Sequence, residues 1–191
     1  MPYAWKITYN GADISDKIGG FSITASLDSY CREMALDIVD KDFYAGLDFT
    51  TLPEIPQIEI FTRTGALFVS QGTFFIEQPS LSVAVQSETL NGVWGRSNTA
   101  LLGEPFAPKV NQMWTEKTTF FDICEEMCDL AGVTWDESYS DIEDFVIYPY
   151  SFQADALYPA EVMAQLAALA GALVTTDQAG HVCIKKINYA P

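Results

Sequence analysis

Bases are scarce in this chain of 191 residues: 10 Lys and Arg stand against 26 Asp and Glu, a formal net charge of -16. Such a surface repels the phosphates of nucleic acid and of anionic lipid, so neither a nucleic-acid nor a membrane partner is expected. Histidine is scarcer still. His181 is the single one, which removes most hydrolytic schemes that use His as base. Gly95-Arg96-Ser97-Asn98-Thr99 lacks the second Gly of a nucleophile elbow, and no Gly-rich loop ends in Lys-Ser or Lys-Thr to cradle a phosphate. Long apolar runs are missing too. The longest, Val162 to Val174, is interrupted by Gln165 and falls short of the ~20 residues that span a bilayer. The opening Met1-Pro2-Tyr3-Ala4-Trp5-Lys6 has no basic stretch followed by an apolar segment and a small-residue cleavage site, so the expectation is a soluble product that starts in a cytoplasm. In that reducing setting Cys31, Cys124, Cys128 and Cys183 read as buried thiols rather than a disulfide framework.

What the chain does hold is apolar material, 49% of its residues with 13% aromatics, enough for one good-sized core or two small ones. From Trp5 to about Arg96 the period is two. Trp5, Ile7 and Tyr9 alternate with Lys6 and Thr8 and run into Asn10-Gly11, a pair suited to a type I′ turn. Phe21, Ile23, Ala25 and Leu27 form one apolar row, Met34, Leu36 and Ile38 the row of the returning strand, with a tip at Asp28-Ser29-Tyr30-Cys31. Asp40 to Pro56, with acids, two prolines and Gly46, reads as a surface excursion without regular structure. Short strands are expected at Gln57–Arg63, Ala66–Ser70, Gly72–Gln78, Ser80–Ser87 and Glu88–Trp94, parted by turns such as Thr64-Gly65 and Asn91-Gly92. Their spacing indicates an antiparallel barrel or sandwich.

Beyond Gly103-Glu104-Pro105 and Pro108 a period of 3.6 begins. Thr119 followed by Asp122 marks a helix start, Phe120, Cys124, Met127 and Ala131 share a face, and Gly132 suits a left-handed cap. Pro159 opens a second helix to about Gly171, with Val162, Leu166, Leu169 and Leu173 as its apolar stripe. A hairpin follows, Leu173–Thr176 and Val182–Lys186 around Asp177-Gln178-Ala179-Gly180. The fold class is therefore α+β, mainly β: a barrel-like antiparallel domain over residues 1–102, then a small α/β domain over 103–191 with helices near 120–131 and 159–171.

Candidate chemistry is thin. Cys124 and Cys128, four apart on a helix, and His181 and Cys183, two apart on a strand, have the donor chemistry of a tetrahedral zinc site, but their spacing matches no common zinc module and the first two lie on the core-facing stripe. Buried thiols are the preferred reading, with no metal or cofactor assigned. The acidic run Asp136 to Asp144 lacks the ordered ligands of a calcium loop and reads as a solvated loop. Trp94, Trp114, Trp135, Phe145, Tyr148, Tyr150 and Phe152 suit either a sugar platform or, more commonly, core and interface. Paired carboxylates discriminate nothing in a chain with 26 acids. No residue is assigned a catalytic role.

The segment Ile7-Thr8-Tyr9-Asn10-Gly11-Ala12-Asp13-Ile14, the paired strands from Phe21 to Asp40, Val93-Trp94-Gly95-Arg96-Ser97-Asn98-Thr99-Ala100-Leu101-Leu102, Leu130-Ala131-Gly132 and the Pro159-Ala160-Glu161-Val162 helix with its Asp177 to Gly180 turn together resemble the baseplate hub (tail) proteins of Mu-like contractile-tailed phages. The resemblance implies a non-enzymatic structural protein of the virion tail, assembled in the host cytoplasm. Such hubs form a trimeric ring that joins the tail tube to the central spike, each subunit carrying two barrel-like domains separated by α/β insertions. The expected partners are other copies of the chain, the tail tube and the spike. This chain ends at Pro191, about where a second barrel-like domain is expected. The rival class is a β module that binds glycans on a host surface.

Overall fold

The computed structural model describes residues 4–26, 29–47, 57–79, 83–85 and 88–187. The chain divides into two compact units. The first comprises Met1–Ser26 and Arg32–Ser97, the second Leu27–Cys31 and Asn98–Pro191. Asn98–Leu102, a 3-10 turn, thus goes with the second unit.

The first unit is a curled antiparallel half-barrel. Its strands are β1 (Trp5–Tyr9), β2 (Ala12–Asp13), β3 (Ile18–Ala25), β4 (Arg32–Ile38), β5 (Gln57–Thr64), β6 (Leu67–Pro79), β7 (Val83–Val85) and β8 (Glu88–Ser97). They lie in the order β2-β1-β5-β6-β8-β4-β3, with β7 on β8. Asn10 and Gly11 both take positive φ, 48° and 81°, as a type I′ turn requires. The register sets Ile7 opposite Ile60, Ile58 opposite Phe74 and Leu36 opposite Val93, and all six are buried. Met34 and Ile38 extend the same interior row, as the alternation predicts. Of the facing row, Phe21 and Ile23 are half-buried and Ala25 is exposed, because β3 is the sheet's edge; Leu27 lies outside the described residues.

The two edges of this sheet are neighbours in sequence. Only Ile14 and a 3-10 turn, Ser15–Lys17, separate β2 from β3. Buried Ser15 fixes the crossing: its Oγ accepts the Ile7 N–H at 3.0 Å and donates to Asp13 Oδ1 at 2.6 Å, and its own N–H donates to Asp13 at 3.0 Å. Trp5 of β1 meets Phe21 of β3 edge-on, ring centroids 5.8 Å apart.

Three expectations change in this unit. Ala66–Ser70 and Gly72–Gln78 are one strand, β6; its pairing with β5 skips Gln71, and Gly72 absorbs the irregularity at φ 119°. Asn91-Gly92 is no turn but lies inside β8, opposite Ile38 and Asp37, since sheet pairing overrides local turn preference. The excursion after Asp40 contains a helix, α1 (Lys41–Ala45), because Asp40 Oδ1 accepts the N–H groups of Asp42 and Phe43 at 3.0 and 2.9 Å. Residues 48–56 lie outside the description, as do 80–82, 86 and 87 around β7.

The Gly-Arg-Ser segment joins β4, β6 and β8. A Cβ on Gly95 would fall 1.6 Å from the Phe75 carbonyl oxygen, so the backbone of β6 sits where a side chain would be. The register slips beside this point, between Ile76 and Gln78. Arg96 clamps the intervening Glu77 with two bonds of 2.7 Å, the bidentate geometry that makes such pairs strong. Ser97 Oγ accepts the Arg32 N–H at 3.0 Å.

The second unit contains β9 (Val110–Met113), β10 (Thr118–Thr119), α2 (Phe120–Ala131), β11 (Val146–Ile147), β12 (Gln153–Leu157), α3 (Pro159–Leu169), β13 (Ala172–Thr176) and β14 (Val182–Lys186). Thr119 Oγ1 accepts the Asp122 N–H and Asp122 Oδ2 accepts that of Thr119, at 3.2 and 3.1 Å, while Gly132 closes α2 at φ 69°. Phe120, Ile123, Cys124, Met127 and Cys128 are buried. The buried face of α3 is centred on Met163 and includes Ala160, Leu166 and Ala167. Leu169 lies about 120° round from Met163 at 100° per residue and is 74% exposed, so of the expected stripe Val162 and Leu166 are buried, Leu169 is not, and Leu173 falls beyond the helix in β13. Of the expected tip, Asp28 lies outside the described residues. Tyr30 packs on the core of the second unit, its phenolic oxygen lying where a Gly103 Cβ would come within 2.1 Å.

Two measurements test this account. Gly95→Ala should cost about 3 kcal/mol or more in urea unfolding, or prevent folding, since backbone and not a movable side chain occupies the space. Gly20→Ala, whose methyl meets nothing nearer than Asp37 Oδ2 at 3.7 Å, should cost under about 1 kcal/mol. The Ser15 hydroxyl and N–H hold the Asp13 carboxyl below the usual carboxylate range. A lowered folded-state value contributes stability above the unfolded value of about 3.9 and loses it as pH falls through the folded value. The Tm advantage of the wild type over Asp13→Asn should therefore be present at pH 7 and shrink as acid protonates the carboxyl through its lowered folded value; an advantage unchanged through the acid range would overturn the role given to Asp13.

Candidate functional site

The four thiols are all unbridged and buried. Cys124 and Cys128 sit inside the second core. Burial pushes both Cys128 and Cys183 up to about 12 and Cys124 further, with neighbouring carboxylates adding to the shift. They do not converge with His181, whose side chain is 42% exposed. Its neighbours are carboxylates instead.

The arrangement follows from the β13–β14 hairpin. Asp177 and His181 face each other across its turn, with the Asp177 N–H donating to the His181 carbonyl at 2.9 Å and the His181 N–H to Asp177 Oδ1 at 2.8 Å. The imidazole Nδ1 then lies 3.2 Å from Asp177 Oδ2. The loop after α2 supplies the third member. Asp136 donates its N–H to the Val182 carbonyl at 2.9 Å, the Val182 N–H donates to Thr134 at 2.8 Å, and Asp136 Oδ2 stands 4.0 Å from Nδ1. The Ser138 hydroxyl, donating to Asp136 Oδ1 at 2.6 Å, is the main reason the Asp136 carboxyl lies below its ordinary range; the Tyr139 and Ser138 N–H groups and His181 add to it.

The acidic run is a solvated loop, with Glu137, Asp141, Glu143 and Asp144 exposed, and it also supplies backbone acceptors. Asp144 Oδ1 takes the N–H of Phe121, in the first turn of α2, and that of Phe145, both at 2.9 Å. Asp141 Oδ1 accepts the Lys186 N–H, and the Lys185 ammonium reaches the Tyr139 carbonyl.

Of the seven aromatics, Trp94 belongs to the first unit and the other six to the second. Trp114 is buried and stacks on Phe152 at 5.5 Å, Phe145 stacks on Phe120 at 4.9 Å, and Trp135 meets Phe121 edge-on at 5.5 Å. Tyr148 and Tyr150 are exposed. An open groove of about 340 Å³ lies beside Tyr148, with Phe145, Ile147, Phe152, Leu166 and Leu169 among its walls.

Burial and the raised Cys124, Cys128 and Cys183 values carry a prediction. A thiol reagent at pH 8 should label none of the four cysteines in the native chain and all four in denaturant, since only the thiolate reacts; rapid native labelling would show the core to be misassigned.

No protein-family model and no curated protein matches this sequence. Solved structures do. The 43 kDa tail protein of prophage MuSo2 from Shewanella oneidensis superposes with a TM-score of 0.62 at 20% identity, covering 95% of this chain and 52% of that one. The tail protein of Neisseria meningitidis MC58 gives 0.58 at 12% identity, over 99% and 53%. Prophage tail protein gp18 of Listeria monocytogenes EGD-e gives 0.54 at 11%, over 96% and 51%. The fold of this chain is one found in prophage tail proteins, of which it spans about half the length.

Proposed function

We propose that this chain is a structural, non-enzymatic subunit of a phage or prophage tail, and that its half-barrel forms part of a baseplate hub ring joining the tail tube to the central spike. The observation that carries this reading is the shared fold over at least 95% of the chain with three tail proteins, two of them from prophages. The sheet offers a physical route to a ring. β2 and β3 are its ends, β2 is only two residues long, and β3 exposes Ser22, Thr24 and Ala25. Edges of this kind carry backbone donors and acceptors that a neighbouring subunit's strand can satisfy. The β5–β6 hairpin adds apolar surface, with Leu67 72% and Phe68 45% exposed.

Charge opposes that association. With -16 per chain, copies repel until salt shortens the Debye length to ~10 Å at 0.1 M. Sedimentation at rising chain and salt concentrations should give a monomer at low salt and a trimer at high concentration or with tail-tube and spike proteins. A strict monomer under every condition, without binding to either protein, would sink the hub reading. A glycan-array signal lost on Tyr148→Ala would then favour the glycan-binding module, for which the exposed Tyr148 and Tyr150 speak.

A further inference from the structure

Three donor atoms of unlike chemistry meet where the β13–β14 turn approaches the loop after α2: His181 Nδ1, an Asp177 oxygen and an Asp136 oxygen, all within 4.8 Å of one another. We propose that they bind one divalent transition-metal ion of the Zn²⁺ class, with water completing its coordination.

Two carboxylate oxygens face one imidazole nitrogen, and the negative charge they bring together favours a cation at the point between them. With the imidazole proton on Nε2, the Nδ1 lone pair can bind that ion. Spacing suits a metal. Bonds of about 2.0–2.2 Å in tetrahedral geometry place ligand atoms roughly 3.4 Å apart. Nδ1 and Asp177 Oδ2 are 3.2 Å apart, and Nδ1 and Asp136 Oδ2 4.0 Å, so the second pair needs to close by only about half an ångström.

Each carboxylate is also aimed by its other oxygen. Asp177 Oδ1 is held by the His181 N–H and Asp136 Oδ1 by the Ser138 hydroxyl, leaving Oδ2 of both toward the centre, as outer hydrogen bonds orient ligands in metal sites. The Asp177 side chain is only 6% exposed. Its Oδ2 lies 3.2 Å from the imidazole Nδ1. A carboxylate so deeply placed, beside a nitrogen donor and a second carboxylate, is what separates this cluster from solvated surface acids. The supports are stiff: β14 is tied to the loop by the Asp136–Val182 and Val182–Thr134 bonds, and Asn98 Nδ2 holds the Gly180 carbonyl at 2.9 Å.

One nitrogen and two oxygens define the class of ion. Ca²⁺ and Mg²⁺ prefer oxygen throughout, whereas imidazole with carboxylate suits zinc and its neighbours. Bound there, the ion would cross-link the turn to the loop, two segments some 40 residues apart in sequence, and stiffen the second unit.

The test is calorimetric titration of the chelator-treated chain with ZnCl₂ and, separately, CaCl₂, with elemental analysis and thermal melting alongside. One saturable Zn²⁺ per chain and a higher Tm are expected. His181→Ala, at a side chain exposed enough to lose without unfolding the unit, should weaken Zn²⁺ binding by at least the roughly 10–100-fold that loss of a mere outer partner costs. Asp136→Asn should do the same, and Glu137→Gln, outside the cluster, should not; circular dichroism of each variant separates lost binding from lost fold. No saturable uptake, several weak equivalents indifferent to His181→Ala, or equal binding of Ca²⁺ would each overturn the site.

Discussion

A four-residue link dictates the shape of the first unit. β2 and β3 stand at opposite ends of the strand order, yet only Ile14 to Lys17 lie between them. In a flat sheet six strand spacings of about 4.8 Å would part those edges by roughly 29 Å. Five residue steps at about 3.5 Å reach no more than roughly 17 Å. The sheet must curl until its edges approach, and every inward row from Ile7 to Val93 is packed by that curl. Ser15 then satisfies the Ile7 N–H that the short β2 strand cannot pair, a buried donor whose loss of partner would cost about 1–3 kcal/mol.

Curling concentrates irregularity where strands serve two neighbours. β6 bonds β5 along its first part and β8 along its second, and it slips register once against each, at Gln71 and at Glu77. Both slips lie beside a glycine that leaves room for something else: the Arg32 guanidinium at Gly72 and the Phe75 carbonyl at Gly95. The Gly-Arg-Ser segment is therefore explained by packing. Gly95 admits backbone, Arg96 pins the skipped Glu77, and Ser97 caps the start of β4.

The periodic parts of this fold were legible in the sequence because one local rule governs each. Thr119, Asp122 and Gly132 bound α2, and Asn10-Gly11 and Asp177 to Gly180 mark their turns, since each signal acts within four residues. Asn91-Gly92 misled because its turn preference is weaker than a ladder of backbone bonds on either side. Leu169 misled because heptad-like spacing cannot say which flank of a stripe its neighbours cover. The His181 cluster was half legible. The turn set Asp177 across from His181, but strand periodicity drew attention to Cys183, which is buried where His181 is not. Asp136 stood out only as the first acid of the Asp136 to Asp144 run, and nothing local paired it with His181, since its approach depends on how the loop after α2 lies along β14.

The acid excess itself has a second use besides solvation. Asp13, Asp40, Asp122, Asp141, Asp144, Glu161 and Asp177 each accept a backbone N–H. A carboxylate suits this task, being acceptor only and charged toward the positive end of a helix or turn. Replacing such groups to reduce repulsion would strip caps from α1, α2 and α3 and from the β13–β14 turn. The negative charge of this chain is thus partly built into its secondary structure. Any assembly it enters must meet that part of the charge with counterions, basic surfaces or bound cations, because the fold needs the acids that cap its elements.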